Sequence, residues 1–499
     1  MQLTIHNLGK IRDADITIDG ITVIAARNDT GKSTIGKAAF ALLNSFENFA
    51  EKIRIDMQDS IVRTIRRALP RASWASWDAC TIIARGLVQV SSQIQDESDL
   101  IHNINIICDH YSEFLLEDDA QSDNIIPNDD IADKLFPSTS EDVEEPEEDT
   151  ETLTARAVIT MTSWLLSSTE NAQQCRQAIL RLITIDVRTK GATLTERTFR
   201  TVFDDQIASR IPDVKDKTFI RLAEQRQACG EQDREATFQG DSCISISNAS
   251  DELRKVLIVD DPNIIESFDY RRSRYYRMSF RRNITQQDYR SYSASYRQEL
   301  ISAAWSALRH EAENPAENLS ESILATEDMQ QIIELLQESF IGQSKLGTHG
   351  MVMIREQLSE PINMANASMG SKAMLLLRFL VEHLVVHESD ILVLDEPEIH
   401  LHPEWQITYA HALVLIAKRM GIRVIVTTHS PFFLKALAGY SGIEDYSDQL
   451  RYYTADANED GSNSFREVTD SGIGELYASM SRPLREIDRA VFKEMLHND

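Results

Sequence analysis

The chain has 499 residues, 42% of them hydrophobic, and a formal net charge of -28. That length allows several folding units, or one sheet-based core with a large insertion. So acidic an exterior excludes a protein that binds nucleic acid or an anionic membrane over its whole surface; only a local basic patch can do so.

The five cysteines, Cys80, Cys108, Cys175, Cys229 and Cys243, are scattered and odd in number, with no C-x-x-C pair. Neither a disulfide framework nor a zinc site is indicated, and the expected compartment is the reducing cytoplasm. Met1 leads into an alternating strand without a basic and apolar leader. The most apolar run, Ala373 to Val386, is interrupted by Arg378, Glu382 and His383, so neither an export signal nor a membrane span is expected.

Leu3 and Ile5 alternate with polar residues, as do Ile16 and Ile18, and Ile21-Thr22-Val23-Ile24 follows the turn at Asp19-Gly20. This predicts a strand pair feeding a third, buried strand. Ala26-Arg27-Asn28-Asp29-Thr30-Gly31-Lys32-Ser33-Thr34 then fits the P-loop pattern, with alanine at the first glycine. Its backbone N–H groups wrap phosphates, Lys32 neutralises the β and γ oxygens, and the Ser33 hydroxyl ligates Mg²⁺. The helix expected from Lys32 points its positive end at the same phosphates.

From Ile35 to about Leu116 the apolar spacing is helical without a heptad register. Residues 117–151 are strongly acidic and poor in large apolar side chains, which predicts a weakly ordered, solvated spacer. Helical spacing resumes from Leu153 to Ile185, and Cys243–Ile246 and Val256–Val259 read as strands. Between 269 and 297, six tyrosines are interleaved with arginines such as Arg271, Arg272 and Arg274. Arginine forks and tyrosine planes suit a nucleic-acid contact, or a face packed on acidic protein. Helical spacing returns from Glu299 to Glu338.

Ser368-Met369-Gly370 precedes the helical Ala373 to Val386 segment. A serine and a glycine at a helix start make an anion site, or a plain N-cap. Ile391-Leu392-Val393-Leu394-Asp395-Glu396-Pro397 then reads as a strand buried on both faces that delivers two acids to its carboxyl end, where open α/β sheets place their chemistry. Asp395 is placed to hold Mg²⁺ and Glu396 to polarise a water against a phosphoryl group. Pro403 to Met420 is helical and closes at Gly421, and Val424 to Pro431 forms the next strand, making a β-α-β unit with His429 at the same sheet edge. A histidine there can hydrogen-bond a γ-phosphate or the attacking water. Asp456 to Glu467 matches a calcium-loop pattern, but its flanks read as strands, so a hairpin turn is expected. His400 and His402 have no evident third ligand, and no metal is assigned to them.

In that order, Asn28 to Thr34, Ser368-Met369-Gly370, Leu394 to Pro403 and Thr427 to Pro431 resemble the P-loop, signature, acidic strand and switch histidine of ABC-type ATPases of the SMC and RecF kind. Asn7 to Ile11 and the D-E-P-E-x-H-L-H-P run resemble more closely the overcoming-lysogenisation-defect (OLD) ATPases and their stand-alone relatives in bacterial anti-phage systems. The resemblance covers about the first fifty residues and 342–499. It implies an α/β P-loop NTPase: an ABC-type head in two parts, 1–50 and 342–499, around a large, mostly helical insertion at 51–341. It also implies ATP and Mg²⁺ as ligands and a homodimer or higher homo-oligomer, with Ser368 and Gly370 acting on the nucleotide held by the partner copy. The usual flexible-loop glutamine has no clear counterpart; Gln206 is the nearest choice. Roughly 360 residues separate Lys32 from Asp395, which suits a head with an inserted arm better than a transporter subunit. The tail after Phe432 is too short for the nuclease domain that OLD proteins commonly carry, which implies a separate nuclease or toxin effector. The leading expectation is a regulatory ATPase of an anti-phage complex. A DNA-maintenance ATPase and an ATP-stabilised scaffold are the alternatives.

Overall fold

The computed structural model describes residues 1–69, 74–119, 150–211, 217–226, 230–231, 233–247, 254–269, 295–313, 327–340, 342–347, 350–468, 470–482 and 487. Nearly all of the acidic stretch at 117–151, and all of the Arg/Tyr-rich stretch except 269 and 295–297, lie outside the described residues. Among the described residues no helix is long and apolar enough to cross a membrane.

The chain divides into two compact units, one of residues 1–49 and 191–499, the other of residues 50–190. In the first, an eleven-stranded sheet collects strands from both ends of the sequence. At the N-terminus β1 (Gln2–Leu8), β2 (Ile11–Thr17) and β3 (Ile21–Ala25) appear where alternation places them. Next come β4 (Thr218–Ala223), β5 (Arg234–Gln239), β6 (Ser242–Ile246) and β7 (Val256–Val259). The antiparallel pair β8 (Gln343–Gly347) and β9 (Gly350–Ile354) stands apart in a separate three-stranded sheet, with Ile362–Asn363 on the other side of β9. The large sheet is completed by β10 (Ile391–Asp395), β11 (Arg423–Thr428), β12 (Leu450–Ala457) and β13 (Asn463–Val468). Its order is β6-β5-β4-β1-β2-β13-β12-β3-β11-β10-β7.

The half that matters here is parallel: β12, β3, β11, β10 and β7 all run the same way, so their carboxyl ends form one edge. The first four residues of β10 are at most 2% exposed, as expected of a strand covered on both faces. Helix α1 (Lys32–Phe46) lies directly on it, and a Cβ at Gly36 would stand 2.4 Å from Val393 Cγ1. Leu392 and Leu394 point the other way, into the main core, together with Leu375, Phe379, Leu413 and Ile416 of two later helices.

The extent of the second unit corrects the sequence-based division. It ends at Lys190, not at 341, because β4, β5 and β6 extend the antiparallel wing from β1 while β7 pairs with β10. The unit itself is helical: most of α2 (Phe49–Ala68), then α3 (Trp74–Gln89), α4 (Glu97–Asp119), α5 (Thr150–Leu166) and α6 (Glu170–Thr184). Its core is formed by Ile61, Ile65, Cys80, Ile83, Leu87, Leu100, Ile104, Val158 and Ile179. Buried Arg176 bonds Glu97 and the carbonyls of Leu165 and Ser167 at the end of α5, satisfying groups that a helix end leaves open. Helix α7 (Val187–Val202) leads back to the sheet.

Candidate functional site

Strand β3 ends at Ala25, and residues 26–31 turn back over its end before α1 begins. The turn needs left-handed backbone at Asp29 (φ 66°) and Gly31 (φ 96°), which glycine adopts without steric cost and aspartate tolerates. Lys32, 5% exposed, directs its ammonium into the turn, where Nζ donates to the Ala26 carbonyl (2.7 Å), the Arg27 carbonyl (3.2 Å) and Asn28 Oδ1 (3.4 Å). Thr30 Oγ1 donates to the Arg27 carbonyl, and Thr34 N to the Gly31 carbonyl, so the loop is braced from inside. The side chains of Arg27, Asn28 and Asp29 face solvent.

Asp395, at the end of β10, meets this loop. Its Oδ1 accepts from Ser33 Oγ (2.9 Å) and from Thr427 Oγ1 on β11. Glu396 follows with left-handed backbone (φ 49°), a conformation costing about 1 kcal/mol or more for a residue with a Cβ. It is pinned there because Glu396 N donates to both the carbonyl (3.1 Å) and the hydroxyl (3.0 Å) of Thr427. So aimed, one carboxylate oxygen of Glu396 sits 3.1 Å from Lys32 Nζ and the other 3.3 Å from His429 Nδ1. Lys32, Ser33, Asp395, Glu396 and His429 thus share one sheet edge, as the sequence predicts. The arrangement supplies a cation for phosphate, two hard oxygens for a divalent ion and a carboxylate for a proton.

Ser368 and Gly370 stand elsewhere on the same unit. Ser368 caps α10 (Met369–Glu382), its exposed hydroxyl accepting from Ser371 N (3.2 Å). Gly370 is buried, and a Cβ there would meet the His400 carbonyl at 2.7 Å, so the missing side chain lets α10 lie against the turn after β10. Neither residue hydrogen-bonds the phosphate loop among the described residues. Met369 does line, with Asp395 and Glu396, a cleft of about 300 Å³. His402 caps α11 (Pro403–Met420) through Nδ1. The Asp456–Glu467 stretch is a β12–β13 hairpin, its Asn458 and Asp460 side chains bonded to Ser462 across the turn.

Sequence reading missed Asp260. Because β7 pairs in register with β10 through Val259 and Leu394, Asp260 ends the neighbouring strand beside Asp395 and lines the same cleft. It accepts from Tyr296 Oη (2.8 Å) and from both Nε and Nη2 of Arg297 at the start of α8 (Tyr296–Glu313). The signal was present, since Val256–Val259 runs straight into Asp260-Asp261-Pro262 just as Ile391–Leu394 runs into Asp395-Glu396-Pro397. Gln206, in contrast, is exposed on the turn that follows α7.

Solved structures similar to the chain include an SMC head domain from Thermotoga maritima, at 9% identity and TM-score 0.35 over 94% of this chain and 98% of that one. An SMC head bound to the C-winged helix domain of ScpA matches at 10% identity and TM-score 0.39, over 95% and 98% of the two chains. A third, an SMC head with a coiled coil and joint from Pyrococcus yayanosii, matches at 11% and 0.33, over 96% and 98%. No curated protein matches the chain. The model of the AAA ATPase domain family matches residues 1–434, a span that holds the phosphate loop, both acids at the end of β10 and His429, and the chain belongs to that family: it is a P-loop ATPase.

Proposed function

We propose that the chain is an ATP-driven molecular switch in which two copies close on ATP and hydrolysis reopens them. The observation that carries the reading is the Lys32–Glu396–His429 array: along one sheet edge the Glu396 carboxylate lies 3.1 Å from Lys32 Nζ and 3.3 Å from His429 Nδ1. A γ-phosphate entering the loop competes for the Lys32 ammonium, and Glu396, released from that pair, is left to take the proton of a water attacking the phosphorus. The bond from phosphorus to the β,γ-bridging oxygen breaks, and Lys32, with backbone N–H groups of the loop before it, stabilises charge on the departing diphosphate. His429 senses the γ-phosphate on one side while its Nδ1 faces Glu396 on the other.

Ser33 Oγ and Asp395 Oδ1 are hard oxygens 2.9 Å apart, a donor pair that fits Mg²⁺, which takes one or two protein oxygens and completes its shell with phosphates and water. When bound there, the ion neutralises charge on the β and γ oxygens. Ser368, exposed at the positive end of α10, caps the nucleotide of a second copy, with Gly370 keeping that helix end close to the turn after β10.

The biological setting we propose is a regulatory ATPase of an anti-phage complex that controls a separate nuclease or toxin. It is supported by the Asp395–Pro403 run and its likeness to OLD-type proteins. Sedimentation of the full chain tests the switch. ATP should convert one-copy particles into two-copy particles, and Ser368→Arg should abolish the conversion. A particle size indifferent to ATP would refute it.

A further inference from the structure

Glu398 is a carboxylate that the mechanism above does not use. It lies in the tight turn after β10, where Ile399 N donates to the Glu396 carbonyl (3.2 Å) and Leu401 N to the Glu398 carbonyl (3.0 Å). Its residue exposure is 2%, so it is removed from water at the edge of an otherwise wet site. Oε1 accepts from Thr428 Oγ1 (2.6 Å), the last residue of β11, and from His429 N (3.2 Å), and stands 3.9 Å from His429 Nδ1. Oε2 is buried and has no hydrogen-bond partner among the described residues. Burial pushes the carboxyl above the ordinary glutamate range, against the opposing pull of the Thr428 and His429 donors.

For stability alone this is a poor choice, because an unused buried oxygen costs free energy that an apolar side chain would avoid. What the carboxyl gains is a grip from the β10 turn on the residue that carries the imidazole. A second tie runs parallel to it. Gln406 of α11 donates to the Glu398 carbonyl (3.3 Å) and accepts from Ser430 Oγ (3.0 Å), so His429 is held from both of its chain neighbours.

We propose that Glu398 is a positioning residue for hydrolysis: its Oε1 fixes the end of β11 so that the His429 ring stays against Glu396. The inference rests on the role given to His429 above. It concerns an acceptor oxygen, not a proton, which makes the amide a faithful substitute and alanine a faithful loss. Alanine removes the acceptor that ties Thr428 Oγ1 and His429 N to the turn after β10, so a Glu398→Ala chain loses the restraint itself.

Steady-state ATP hydrolysis by the full-length chain tests it, with Glu398→Ala, Glu398→Gln and His429→Ala compared. Glu398→Ala should lower kcat about 10- to 100-fold, the scale of an ångström-level misplacement, with KM for ATP within about twofold. Glu398→Gln should restore kcat to within about threefold, and its pH profile of kcat should overlay that of the parent. Wild-type turnover in Glu398→Ala, or a Glu398→Gln chain as slow as Glu398→Ala, overturns the inference, as does a displaced pH profile in Glu398→Gln. If Glu398→Ala does not fold, the rate and pH profile of Glu398→Gln decide alone. A His429→Ala chain that turns over normally overturns both this inference and the role of His429. A slow His429→Ala with a fast Glu398→Ala overturns only the former.

Discussion

Replacing Glu396 with glutamine keeps the size and the left-handed turn of the residue while removing the carboxylate that we propose accepts a proton. A general base contributes about 10²- to 10⁴-fold to such a step, so kcat should fall by that factor, a barrier increase of roughly 2.7–5.5 kcal/mol. The structure adds a second expectation. Glu396 faces Lys32 across 3.1 Å, with side chains 21% and 4% exposed, so its charge competes with phosphate for the same ammonium. The amide removes that competition while the Ala26, Arg27 and Asn28 oxygens still satisfy Lys32. Nucleotide affinity should therefore stay equal or tighten even as turnover collapses. Stability should drop by only about 1.5–3 kcal/mol, the net worth of one charge-assisted hydrogen bond. Single-turnover hydrolysis and nucleotide binding, measured on the same preparation, separate the two effects. Turnover within a few-fold of the parent, or a loss of binding that matches the loss of rate, would refute the assignment.

Gly36→Ala drives a methyl group into Val393 and should cost about 1–3 kcal/mol in denaturant unfolding, with turnover reduced because Lys32 and Asp395 lie at the two ends of that contact. Glu398→Gln should also alter stability with a defined sign. The folded-state pKa of Glu398 is raised, so the native chain binds its proton more tightly than the unfolded chain and loses stability as pH rises above the ordinary 4.5. The glutamine variant should accordingly melt higher than the parent at neutral pH and level with it below that value; a gap that widens on acidification contradicts the burial argument. Asp260→Ala and Arg297→Ala should show a coupling of about 0.5–1 kcal/mol in a double-mutant cycle on unfolding, modest because Arg297 is half exposed. Additive effects would mean that the ion pair contributes nothing.

The chemistry-bearing edge was legible because each of its parts is local. A buried run followed by acids, or a run followed by G-K-S-T, is read within about ten residues, and Ile391–Asp395, Ile21–Ala25 and Arg423–Thr428 appear as strands where those runs stand. Adjacency was harder. That Val256–Val259 pairs with Ile391–Leu394, and thereby sets Asp260 beside Asp395, is a nonlocal fact that periodicity does not carry. The same gap shifted the end of the inserted unit from 341 to Lys190, since Thr218–Ala223 and Arg234–Gln239 alternate too briefly to announce that they extend the sheet from Gln2–Leu8. Glu398 was visible as a letter in the D-E-P-E run, but its burial and its bond to His429 N arise only from the turn that folds it inward.

The most direct test of the switch is ATP turnover by the purified chain measured against its own concentration, with and without duplex DNA. A site completed by a second copy predicts specific activity that climbs with concentration, reaches a plateau, and is unchanged by DNA. Specific activity independent of concentration would contradict the two-copy site, and strong stimulation by DNA would contradict the reading of a switch that acts through a protein effector.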